Sequence, residues 1–137
     1  MKDIAQNCCA PAAIPASKVS VVDLFCGVGG LSHGLKREGF HIAAGIDLDP
    51  ECKFPFEQNN GSTFHEMNVA DLTGAAITEL HGETETRVLV GCAPCQPFSK
   101  YAQGLPENEK WNLLKEFGRL IKKSKPDVVS MENVPGL

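Results

Sequence analysis

The apolar positions of this chain fall in short runs separated by polar, helix-forming stretches. Val19 to Phe25, His41 to Ile46, Arg87 to Gly91 and Asp127 to Met131 are strand candidates, and His65 to Val69 is a weaker one. Brief, nearly continuous apolar runs of this kind suit strands buried on both faces, as in parallel sheets. Between them, Leu31 to Glu38 reads as a helix ending near Gly39, and Gly74 to Leu80 as a less regular one. Asn108 to Lys123 carries Trp111, Leu113, Leu114, Phe117, Leu120 and Ile121 at helical spacing, with Pro126 as its stop and Trp111 as a core-facing anchor. Pro50 can open a helix, but Phe54-Pro55-Phe56 predicts that this helix is bent or late in starting. Alternating strands and helices predict an α/β fold, a mainly parallel sheet with helices on both faces. Met1 to Ser17 has prolines and alanines without periodicity and reads as a flexible tail, which leaves 18–137 as one domain.

With 137 residues, 42% of them apolar and 22% charged, the chain has the make-up of a single globular domain with a real core. No apolar run approaches the roughly eighteen residues a bilayer span needs, so no membrane partner is expected. The N-terminus lacks a basic segment followed by an apolar one, so no signal peptide is read there. The six cysteines are scattered among strands and helices rather than spaced as a disulfide framework. That usage predicts a reducing, intracellular setting, the cytoplasm or nucleoid in a bacterium. The net charge of −4 conceals an asymmetry, because Lys100 to Lys125 holds seven basic residues against three acidic ones. Such a segment is compatible with a phosphate backbone nearby, although a solvated helix face accounts for most of its lysines.

Three stretches at strand ends carry candidate chemistry. Asp23-Leu24-Phe25-Cys26-Gly27-Val28-Gly29-Gly30 follows the first strand and opens a helix. It matches two places of the dinucleotide fingerprint, Gly27 and Gly29, and puts Ser32 in the third. Such a turn lets a ligand approach the backbone at the positive end of a helix. Asp47, at the end of the second strand, stands where an acidic group can hold a ribose diol. In the second stretch, Gly91-Cys92-Ala93-Pro94-Cys95-Gln96-Pro97-Phe98-Ser99, the Cys-x-x-Cys spacing has three readings. A zinc site would need a second ligand pair, which is absent, so no metal is expected. A thiol-redox pair and a single nucleophile, Cys95, with Cys92 as a small buried strand residue, both remain open from spacing alone. The third stretch is Met131-Glu132-Asn133-Val134-Pro135, a carboxylate after the last strand.

Taken in order, Asp-Leu-Phe-Cys-Gly-Val-Gly-Gly, Pro-Cys-Gln-Pro-Phe-Ser and Glu-Asn-Val resemble the cytosine-C5 DNA methyltransferases, over Val19 to Leu137. The resemblance implies a Rossmann-like, S-adenosylmethionine-dependent fold acting on double-stranded DNA, as in restriction-modification systems. It implies Cys95 as the nucleophile that adds to cytosine C6 and Glu132 as the group at ring N3, with Gln96, Ser99 and Asn133 positioning the base. For the cofactor it implies Phe25, Gly27, Gly29, Gly30, Leu31, Asp47, Leu48, Asn68, Val69 and Pro94. Asn68-Val69 stands where the family usually has Asp-Ile. Cys92-Ala93 replaces the common Gly-Phe, a departure expected to touch packing more than chemistry. The family's later elements, an Arg-x-Arg element, a target-recognition region and a segment packing beside the first helix, are not found up to Leu137. An incomplete sheet with an open apolar edge is therefore expected, and a separate C-terminal methyltransferase fragment or subunit is a candidate partner. The alternatives to an enzyme are a non-catalytic S-adenosylmethionine-binding module, one subunit of a split methyltransferase, or a thiol-redox protein.

Overall fold

The computed structural model describes residues 18–93 and 112–132. Five strands, β1 (Val19–Leu24), β2 (His41–Asp47), β3 (Thr63–Glu66), β4 (Thr86–Gly91) and β5 (Val128–Met131), form one sheet in the order β3-β2-β1-β4-β5. Every pairing is parallel. The chain builds outward from β1 through β2 to β3, then crosses back and continues through β4 to β5. The order of connection therefore reverses between β1 and β4, and in open parallel sheets the crevice outside such a reversal is where ligands bind.

All six residues of β1 are buried, because its two faces serve two cores. Val22 and Leu24 point toward α3 (Gly74–His81) and α4 (Asn112–Ser124), joining Ala44, Ile46, Ile77, Leu89, Phe117 and Leu120. Val19 and Val21 point the other way, with Ile42, Phe56, Phe64 and Val90, toward α1 (Gly30–Arg37) and α2 (Lys53–Asn60). The period-two alternation of a strand thus supplies both layers from one run of residues. Among the described residues no helix is long and apolar enough to cross a membrane.

Several element boundaries differ from the sequence expectation. Phe25 does not extend β1; it takes a left-handed backbone with φ 59, which turns the chain into the glycine loop. Strand β3 lies two residues earlier than the apolar run suggests. Val69 sits instead in a 3-10 turn, Val69–Asp71, because Asn68 Oδ1 accepts the Ala70 N–H at 3.0 Å and caps that turn. The helix after Pro50 does start late, with a 3-10 turn Pro50–Cys52 preceding α2. Pro55 is the third residue of α2, where its missing N–H would have no intrahelical partner. Asp127 lies just outside β5, and its carboxylate accepts the Arg87 N–H at 2.8 Å. The expected tail 1–17 and the anchor Trp111 lie outside the described residues.

Candidate active site at the carboxyl ends of the strands

The glycine loop is shaped by two different demands. Gly29 has φ 83 and caps α1, and a Cβ there would fall 2.3 Å from Asn60 Nδ2 and 2.6 Å from the Phe56 ring. It is glycine because α2 packs against it. At Gly27 (φ 50) and Gly30 a Cβ would meet nothing within 4 Å, so backbone faces open space of the kind a ligand can enter. Gly27 N–H is donated to Asp47 Oδ2 at 2.8 Å, and Asp49 N–H to Asp47 Oδ1 at 3.0 Å. Asp47 thereby ties the ends of β1 and β2 together while its carboxylate borders a cavity.

That cavity, about 400 Å³, is walled by Phe25, Leu48, Met67, Val69 and Leu113, with Asp47, Asp49 and Asn68 as its polar members. A second hollow of about 480 Å³ adjoins it at Phe25 and is bordered by Asp23, Cys26, Gly27, Leu31, Cys92 and Glu132. Five residues expected to bind cofactor, Phe25, Asp47, Leu48, Asn68 and Val69, thus line the first cavity. Phe25, Gly27, Leu31 and Glu132 line the second. Pro94, Cys95, Gln96, Ser99 and Asn133 lie outside the described residues.

Burial and nearby carboxylates set two of the cysteines apart from nucleophilic chemistry. Burial, then the Asp23 and Asp47 charges, pushes the Cys26 thiol well above its ordinary value. Burial and the charge of Asp49 also raise Cys52. A nucleophilic cysteine needs the opposite, so neither is a candidate for attack. Burial raises the Asp23 carboxyl to about 6, against the opposing effect of hydrogen bonds from Ser32. Ser32, the residue in the fingerprint's third place, is fully buried and donates its hydroxyl to Asp23 Oδ2 at 2.7 Å.

Cys92 corrects the sequence reading. It is exposed and lies one residue beyond β4, rather than being a small buried strand residue. The pairing of Gly91 with Met131 and the Glu132 N–H donated to Gly91 O at 3.1 Å bring the next residues of the two strands side by side. Cys92 Sγ then donates to Glu132 Oε2 at 2.8 Å. The departure from Gly-Phe reaches the candidate catalytic carboxylate as well as packing.

Sequence reasoning did not single out Arg119. From α4 its Nη2 donates to the carbonyls of Val69 (3.4 Å), Ala70 (3.2 Å) and Leu72 (3.0 Å), fastening the turn that borders the first cavity. The available signal was one arginine on an otherwise lysine-bearing helix, since a guanidinium can hold a neighbouring carboxylate, Glu116, through Nε while its Nη2 reaches distant carbonyls, and a single ammonium nitrogen cannot span both.

Sheet order, glycine loop and paired hollows define a Rossmann-like, S-adenosylmethionine-dependent methyltransferase fold. Residues 19–137 match the model of the C-5 cytosine-specific DNA methylases, and the chain belongs to that family. It is 52% identical to the type II methylase M.HgiDII of Herpetosiphon aurantiacus over 85% of this chain and 33% of that protein. It is 30% identical to the type II methyltransferase M.HgiGI of the same organism, over 85% of this chain and 90% of that protein. The solved structure of the Dnmt2 methyltransferase from S. pombe superposes with a TM-score of 0.65 at 19% identity, over 85% of this chain and 34% of that one, a likeness of fold. The chain spans about a third of the length of M.HgiDII and of M.XorII from Xanthomonas oryzae.

Proposed function

We propose that residues 18–137 form the cofactor-binding and catalytic part of a DNA (cytosine-5-)-methyltransferase. The observation that carries this reading is the joining of two hollows at Phe25, one bordered by the Asp47 carboxylate and the other by Glu132. S-adenosylmethionine is elongated, with an adenosine end and a cationic amino-acid end, and the two hollows suit those ends. Leu48, Val69 and Phe25 offer apolar faces to adenine, Asn68 an amide to its edge, and Asp47 a carboxylate to the ribose hydroxyls. Gly27 and Gly30 expose backbone, and the carboxylates of Asp23 and Glu132 favour positive charge in the second hollow. The bound cofactor supplies an electrophilic methyl group.

The chain's own residues make cytosine able to accept it. C5 of cytosine is a poor nucleophile, and a flipped-out base is needed to reach a pocket of this kind. Cys95, as thiolate, adds to C6 and pushes electron density to C5. Glu132 hydrogen-bonds or protonates N3 and so draws charge from the ring in the transition state. After methylation, loss of the C5 proton expels the Cys95 sulfur. Gln96, Ser99 and Asn133 position the base, and Pro94 belongs to the cofactor-binding set.

A second reading, that the chain acts with a further C-terminal segment or subunit, has its own support. Strand β5 is exposed along its whole length, and an apolar hollow of about 350 Å³ beside it is lined by Val19, Val21, Leu35, Phe40, Val88 and Val128. Exposed apolar surface at a sheet edge favours a covering element. On this reading the chain alone binds S-adenosylmethionine weakly and does not methylate DNA.

Incubation with S-adenosylmethionine and a duplex containing 5-fluorocytosine, alone and with a candidate C-terminal half, tests both readings. A covalent protein–DNA adduct that is lost in Cys95→Ser supports the enzyme. An adduct formed only with the second half supports a split enzyme. Cofactor binding with no adduct under either condition makes the chain a non-catalytic binding module.

A further inference from the structure

The contact between Cys92 and Glu132 joins the one strand-end carboxylate assigned to the base with a thiol that is not the nucleophile. Four observations bear on it. Strands β4 and β5 are paired in register up to Gly91 and Met131. The Glu132 N–H to Gly91 O bond extends that ladder by one step. Cys92 Sγ reaches Glu132 Oε2 at 2.8 Å. Both side chains border the same hollow as Asp23 and Phe25.

From these we infer that Cys92 is a positioning residue, its thiol donating to Glu132 and fixing the rotation of the carboxylate that faces the cytosine ring. The inference rests on the assignment of Glu132 to N3 given above. A glutamate side chain has three rotatable bonds, and an exposed one samples many rotamers unless a partner holds it. A thiol is a weak donor, but a charged acceptor strengthens the bond. Glycine, which the family commonly has in this part of the motif, offers no side-chain donor. In this chain the first cysteine of Cys92-Ala93-Pro94-Cys95 thereby acquires a task distinct from metal binding or disulfide exchange. The contact exists only while Cys92 is a protonated thiol, so alkylation or oxidation of Cys92 releases Glu132.

The full 137-residue chain is sufficient to test the contact. In a Cys95→Ser background, iodoacetamide labelling of Cys92 is followed by peptide mass spectrometry with and without Glu132→Gln. A neighbouring carboxylate opposes thiolate formation, so Glu132→Gln should speed labelling about tenfold at neutral pH. In parallel, the carboxyl carbon resonance of Glu132 is observed with 13C-labelled glutamate. Cys92→Ala should move that resonance, and Cys92→Ser, which keeps a donor, should restore it. Equal labelling rates within twofold, or an unmoved resonance in Cys92→Ala, overturn the inference. The assignment beneath it is judged separately, by whether Glu132→Gln abolishes the 5-fluorocytosine adduct. If the adduct survives Glu132→Gln at the wild-type rate, Glu132 is not the ring-activating group, whatever holds it.

Discussion

Ser32 Oγ donates to Asp23 Oδ2 across 2.7 Å, joining the first turn of α1 to the end of β1 in a fully buried position. The dinucleotide fingerprint would put glycine at 32, so that helix and strand can pack closely. This chain keeps the close packing with the smallest hydroxyl side chain and uses that hydroxyl to satisfy a buried carboxyl. Ser32→Ala should cost about 1–3 kcal/mol by leaving Asp23 short of a donor, and Ser32→Gly no less, despite restoring the fingerprint. Both are read from chemical denaturation at fixed pH. A Ser32→Gly chain as stable as the wild type would make the bond incidental.

Asp23 also gives the fold a pH dependence of definite sign. Its folded value of about 6 lies above the unfolded 3.8. The native state therefore holds the proton more tightly, and the stability it contributes is full below about 4 and lost as pH rises through about 6. A shift of that size corresponds to about 3 kcal/mol. His81 acts in the opposite sense. Burial, then the Arg87 charge, lowers it to about 4, so its contribution falls away as pH drops from about 6.5 toward 4. In the wild type the two trends partly cancel between pH 4 and 6. Asp23→Asn should leave a stability that rises with pH in that window, and His81→Gln one that falls. Denaturation midpoints across the pH range check both, and parallel profiles for the two variants would contradict the assignment.

Neighbouring glycines of the loop should fail in different ways. Gly29→Ala forces a Cβ to 2.3 Å from Asn60 Nδ2 at a left-handed φ of 83, so a loss of at least about 2 kcal/mol in stability is expected. Gly30→Ala adds a Cβ in open space within a helix and should melt no lower than the wild type. If the open side of the loop receives the cofactor, Gly30→Ala should still weaken S-adenosylmethionine binding severalfold by calorimetry. Unchanged affinity in Gly30→Ala would place the ligand elsewhere.

Arg119 fastens the turn behind Asn68 and Val69 through three carbonyls. Arg119→Lys keeps the charge and loses the fork. About fivefold to tenfold weaker cofactor binding is expected, with adenosine affected as strongly as S-adenosylmethionine, because the turn borders only the first cavity. Titration of both ligands provides the check. A loss confined to S-adenosylmethionine would contradict the assignment of that cavity to adenine.

Much of this molecule was already present in its apolar pattern. Runs of β-branched residues such as Val19 to Leu24 cannot be covered on one face alone, so they dictate strands buried on both sides and, with helices between them, a parallel sheet. The glycine loop and the place of Asp47 at the end of β2 were legible because a tight turn from strand to helix demands glycine and a strand-end carboxylate can tie that turn down. Periodicity, in contrast, does not reveal what meets across strands distant in the chain. Ser32 reads as a failed glycine until α1 is laid on β1 and Asp23 appears beneath it. Arg119 reads as one more helix cation until α4 crosses the turn at Val69–Asp71. Cys92 reads as filler or half of a redox pair until the register of β4 with β5 sets it beside Glu132. In each case local sequence chose the element, and the packing of elements far apart in the chain chose the partner.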